Sequence, residues 1–166
     1  MIRVLIAEDQ AMFRTAIRRL LELEADLEVV AEVSRGDEVL EAARRSEAGV
    51  ALVDIELPGR DGLSAVADLT RELPSCRALV VTTFGRPGFL QRAMAAGAAG
   101  FISKDASPEV LAEAIRRAAA GDKVVDAGLA ATAIRPPVGG LGAQSHLRSH
   151  LEAGCSQQRG CRPHPL

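Results

Sequence analysis

The chain has 166 residues, 48% of them hydrophobic and 25% charged, with a net charge of −2 and three scattered cysteines, Cys76, Cys155 and Cys161. That suffices for one ordinary core plus something small, and it argues against two full-sized domains, a basic footprint over the whole surface, or a disulfide framework. No apolar stretch approaches the roughly 20 residues of a membrane span and the N-terminus carries no charged leader, so a soluble, cytoplasmic protein with no membrane partner is expected.

In chain order, Ile2 to Ala7 is a nearly continuous aliphatic run, as a strand buried on both faces should be. From Met12 to Leu23, Phe13, Ile17, Leu20 and Leu21 share one helical face while Arg14, Arg18 and Arg19 lie elsewhere. Leu27 to Val33 gives a second strand, and Gly36 followed by Val39, Leu40 and Ala43 a second helix. Val50 to Val53 is the third strand; the turn-rich run Pro58-Gly59-Arg60-Asp61-Gly62 then leads into a helix over Leu63 to Leu73, ended by Pro74. Ala78 to Val81 is a fourth strand, followed by a helix from about Gly88 to Ala96 with Gly97 as its C-terminal glycine. Ala99 to Ser103 is a short fifth strand. Ser107-Pro108-Glu109 supplies an N-cap, a proline at the first helical position and a first-turn acid for a helix whose apolar face is Val110, Leu111, Ala114, Ile115 and Ala118, closed by Gly121. Five strand–helix units predict an α/β fold: a doubly wound, five-stranded parallel sheet of flavodoxin-like order 2-1-3-4-5.

In that order, ligands sit beyond the carboxyl ends of strands 1 and 3. Glu8-Asp9 and Asp54 fall at those two ends. A single acid after a strand normally only solvates a loop, but three carboxylates gathered together repel and call for a cation. Magnesium, which prefers hard oxygen ligands and keeps several waters, is the expected cofactor. Thr82 follows the fourth strand and Lys104 the fifth. Only two of the chain's twenty basic residues are lysine, so a lysine kept at this strand end points to a need for a compact ammonium. Thr82 can donate to a phosphoryl oxygen; Thr83 competes for that role, but strand alternation turns it to the opposite face.

These residues closely resemble the receiver domains of bacterial two-component response regulators. The likeness covers roughly residues 1 to 121 and rests on Glu8-Asp9, Asp54 with the run Leu57 to Gly62, Thr82, and Lys104. Thr82 to Gly88, Gly97 to Lys104 and Asp105 resemble the NarL/FixJ class; Ile6 to Gln10, Asp54 to Gly59 and Thr82 to Gly88 are similar to membrane-fluidity regulators that control lipid desaturation. The resemblance implies that Asp54 accepts a phosphoryl group from a sensor histidine kinase, and that Asp9 binds Mg2+ with Glu8 direct or through water and Glu56 through its backbone carbonyl. It also implies that Lys104 and Thr82 read the phosphoryl group, that Phe101 is the switch aromatic unless it is simply core, and that two copies pair on phosphorylation. It implies no enzymatic function beyond self-directed dephosphorylation. A haloacid-dehalogenase-like phosphatase fits less well, because its nucleophile should follow the first strand.

Residues 1 to 122 are therefore expected to be the receiver, 123 to 135 a short terminal element or linker, and 136 to 166 a disordered tail in place of a helix-turn-helix domain. Residues 136 to 166 hold three arginines and one glutamate, leaving −4 on the part before them. His146, His150, Cys155, Cys161 and His164 do not match a common zinc finger. An out-of-frame tail would explain the abrupt change at Pro136, leaving a regulator without DNA binding. A natural stand-alone receiver acting through protein partners is the alternative.

Overall fold

The computed structural model describes residues 1–83, 86 and 88–133; the expectations for the tail, including zinc and disorder, lie outside them. The described residues fall in one compact unit, Met1–Ile134. Its elements are β1 (Ile2–Ala7), α1 (Ala11–Leu21), β2 (Leu27–Val33), α2 (Val39–Ser46), β3 (Val50–Asp54), α3 (Gly62–Glu72), β4 (Arg77–Thr82), α4 (Phe89–Ala95), β5 (Gly100–Ser103), α5 (Pro108–Ala119), β6 (Val124–Val125) and α6 (Ala127–Ala133). All strands are parallel, in the order β2-β1-β3-β4-β5-β6. The expected order 2-1-3-4-5 is present, and a two-residue strand, too short to show any period in the sequence, extends it.

Strand alternation divides the core in two. Leu5, Ala7, Ala51, Val53, Val80 and Phe101 pack with Val39 of α2, Val66 and Leu69 of α3 and Ala93 of α4. Val4, Ile6, Val50, Leu52, Leu79 and Ile102 face the other way, onto Ile17 and Leu21 of α1 and Leu111 and Ile115 of α5. The period of two along a strand is what sends neighbouring residues to opposite helical layers. Burying the larger of these side chains contributes about 1.5–3 kcal/mol each, and β3, buried along its whole length, carries no polar residue before Asp54 at its end.

The local signals act as expected at the ends of α5, where the Ser107 hydroxyl accepts from the Val110 N–H and Pro108 opens the helix. Gly97 and Gly121 both take positive φ just beyond α4 and α5. Two apolar assignments fail. Leu20 is 36% and Val110 46% exposed. Each lies at the margin of its helical stripe: Ile17 and Leu21 complete the contact of α1, and Leu111, Ala114 and Ile115 that of α5. Among the described residues no helix is long and apolar enough to cross a membrane.

Candidate functional site

Parallel registration brings the strand ends level. Ala7 lies opposite Val53, Asp54 opposite Val81, and Thr82 opposite Ser103. The residues that follow β1 and β5, together with the last residues of β3 and β4, therefore share one edge. Glu8 is 2% exposed and held from all sides. Its N–H donates to the Val33 carbonyl (3.0 Å), and its carbonyl accepts from the Arg14 guanidinium (2.6 Å). Its carboxylate accepts from the Gln10 N–H (3.0 Å) and lies 2.7 Å from Lys104 Nζ.

The same ammonium is 3.2 Å from Asp54 Oδ2. Lys104 thus lies between two buried carboxylates, its own side chain 6% exposed. Burial pushes the Glu8 carboxyl above its usual range; the bonds from Lys104 and Gln10 oppose this, and the charge of Asp54 adds to it. For Lys104, burial pulls the ammonium down, but the bond to Glu8 and the charges of Asp54 and Glu8 outweigh it, leaving the group raised and charged. Asp9 is exposed, and one carboxylate oxygen from each of Glu8, Asp9 and Asp54 lies within 4.8 Å of the others. Three carboxylates against one ammonium leave a formal excess of two negative charges, and all donors are hard oxygens. That set fits a divalent ion of the magnesium type.

Thr82 is buried and Thr83 exposed, as alternation requires; the Thr82 carbonyl accepts from the Lys104 N–H at 2.7 Å, tying the ends of β4 and β5 together. Phe101 lies opposite Val80 of β4. It is fully buried in the layer shared with α3 and α4. Glu56 sits two residues past Asp54 with its side chain exposed.

The loop after Asp54 is fixed by close backbone approaches. The Gly62 N–H donates to the Ile55 carbonyl (2.9 Å), and a Cβ on Gly62 would overlap the Asp54 carbonyl oxygen. Gly36 donates to the Pro58 carbonyl (3.0 Å), and a Cβ there would overlap the Arg60 carbonyl. Asp61 caps α3 through the Ser64 N–H at 3.0 Å. Both glycines are needed for close packing rather than for a turn conformation.

Three contributors were not anticipated as part of the site. Gln10 and Arg14 hold Glu8, and the Phe13 ring lies 4.7 Å from Lys104 Nζ. Helical period assigns Phe13 to the core stripe, which hides this role; its place in the first turn after Glu8-Asp9 is the signal that could have revealed it.

Comparison with known proteins gives the family of this fold. The response regulator receiver domain family model matches residues 4–116. The transcriptional regulatory protein YvfU of Bacillus subtilis is 41% identical over 124 residues, which cover 75% of this chain and 62% of that protein. DesR, a transcriptional regulatory protein of the same organism, is 40% identical over 124 residues, 75% of this chain and 61% of that one. The chain thus spans about three fifths of the length of these curated relatives. Among solved structures, the signal receiver domain of a NarL response regulator from Mycobacterium tuberculosis superposes with a TM-score of 0.69 at 33% identity, covering 72% of this chain and 97% of that one. The chain belongs to the response regulator receiver family, with relatives among the NarL- and LuxR-type regulators of two-component systems.

Proposed function

We propose that this chain is the phosphoaccepting part of a two-component response regulator, with Asp54 as the acceptor and a sensor histidine kinase as the donor. The observation that carries this reading is the buried Lys104 ammonium held between the Asp54 and Glu8 carboxylates at the sheet edge. An Asp54 oxygen attacks the phosphorus of the kinase's phosphohistidine. A P–O bond forms, the P–N bond breaks, and its electron pair returns to the imidazole. Such transfer needs positioning and charge neutralisation more than covalent assistance. Lys104 supplies a fixed positive charge beside the accepting oxygen, and Thr82, one residue past the register partner of Asp54, would donate to a transferred phosphoryl oxygen. Glu8, Asp9 and Asp54, with the Glu56 backbone carbonyl, would hold Mg2+, which when bound supplies Lewis-acid neutralisation of the phosphoryl oxygens.

An aspartyl phosphate adds nearly two negative charges and three acceptor oxygens at one strand end. To invert a 1:99 equilibrium it must favour the active state by about 5.5 kcal/mol, a gap that new bonds to Lys104 and Thr82 help to cover. Phe101, packed under α4, is the side chain whose repacking would carry the change outward, and pairing of two copies is the proposed result. Regulation of transcription would follow in a protein that also carries a DNA-binding domain. Loss of the phosphoryl group would be self-directed; family members are response regulators, not classical enzymes.

Incubation with acetyl phosphate and Mg2+, followed by peptide mapping and sedimentation, tests this. Label on Asp54, its loss in Asp54→Asn, and a shift of the labelled chain toward dimer are expected. Label retained at another residue in Asp54→Asn would overturn the acceptor assignment.

A further inference from the structure

We propose that Phe13 is a positioning residue for the phosphoryl-transfer site, its ring holding the Lys104 ammonium against Asp54 and Glu8. The inference rests on the reading of Asp54 as the phosphoacceptor, and it adds a group outside the strand-end set. An ammonium offers three donors. In Lys104, carboxylate oxygens lie at 2.7 Å and 3.2 Å from Nζ, and the Phe13 ring centroid lies at 4.7 Å. A ring at that distance attracts a cation through its quadrupole, and does so more strongly where water is excluded. Lys104 is such a case, since its side chain is 6% exposed.

Phe13 is poorly explained as core alone. Ile17 and Leu21 on the same helical face are 4% and 1% exposed, whereas Phe13 is only partly buried at the edge of their cluster. The chain has four phenylalanines and no tyrosine or tryptophan, so aromatic rings are scarce. The backbone fixes this one in place: Phe13 lies in the first turn of α1, and its neighbour Arg14 is anchored to the Glu8 carbonyl. The segment that supplies Glu8 and Asp9 therefore also supplies the ring. A flexible four-carbon stem has many rotamers; the ring narrows them to the one that reaches both acids, so the charge is in position before the phosphoryl group arrives.

The full chain, Phe13→Leu and Phe13→Tyr are compared by two measurements. The first is the rate of Asp54 labelling by acetyl phosphate with Mg2+. The second is the carbon–proton spectrum of lysine-labelled protein, where only Lys104 and Lys123 contribute side-chain signals. One ε-methylene signal, shifted upfield by the ring, is expected in wild type and Phe13→Tyr and absent in Phe13→Leu. Labelling should slow by roughly threefold to thirtyfold in Phe13→Leu and largely recover in Phe13→Tyr. Absence of the shifted signal from wild type would overturn the inference, as would unchanged labelling in Phe13→Leu or equal losses in both variants, which would mark mere packing. Wild type that shows the shifted signal but takes no label at Asp54 would instead defeat the acceptor assignment.

Discussion

Lys104 neutralises two acids that would otherwise repel each other in a buried setting. Its contacts with Glu8 and Asp54 leave neither carboxylate facing the other without a counter-charge. Replacing it with an apolar side chain of similar length leaves the two acids buried and uncompensated, and one must then take up a proton or draw in water. Lys104→Met should therefore destabilise the metal-free protein by about 1–3 kcal/mol, less than a fully enclosed pair would lose, because Asp9 keeps the cluster open on one side. Urea unfolding at neutral pH checks this, and a gain in stability would show that the repulsion was never significant. This residue was legible in the sequence because lysine is rare in a chain rich in arginine. Asp54, Glu8 and Asp9 were legible from their places after apolar runs. Phe13 was hidden because an aromatic on a helical stripe looks the same whether it fills a core or caps a cation. Gln10 contributes only a backbone N–H, which no side-chain pattern can announce.

At the scale of elements, strand ends and caps were readable because their signals are local. The αL glycines after α4 and α5 and the Ser107-Pro108 start of α5 depend on a few adjacent residues. The exposure of Leu20 and Val110 was not readable, since it depends on how far the sheet extends beneath each helix. One tertiary tie was equally invisible. Arg116 of α5 reaches Asp26 at 2.7 Å and Glu24 at 2.6 Å, joining α5 to the turn before β2 across 90 residues of sequence. The Arg116 guanidinium holds the Asp26 carboxyl down at about 2. An acid with a depressed native pKa contributes stability above its unfolded pKa of about 3.9 and loses it as pH falls through the native value. Asp26→Asn should thus be less stable than wild type at pH 5, with the difference closing between pH 4 and 2. The pair is solvent-exposed, so added salt should also shrink the difference. Denaturant unfolding of both proteins across that range is the measurement, and a difference that persists at pH 2 would assign the effect to packing.

For the molecule as a whole, a cation held by the acid cluster would couple its binding to folding. Glu8 and Asp9 follow β1, Asp54 ends β3 45 residues after Asp9, and the three converge only when β1 and β3 pair in register. The unfolded chain has no equivalent site, so a cation that binds there stabilises the native state by mass action. At a free Mg2+ concentration one hundred times its dissociation constant, the gain is about 2.7 kcal/mol. For a domain of this size that corresponds to an increase of roughly 8 to 14 °C in the melting temperature. General screening of an acidic surface would also stabilise, but sodium chloride at matched ionic strength would reproduce that effect. Asp9 separates the two explanations, because it is exposed and removing its charge leaves the buried Lys104 contacts in place. Asp9→Asn should keep the metal-free melting temperature within a few degrees of wild type and lose most of the Mg2+-dependent rise. An equal rise in both proteins would mean that the ion acts on the surface at large and that the three carboxylates do not form its site.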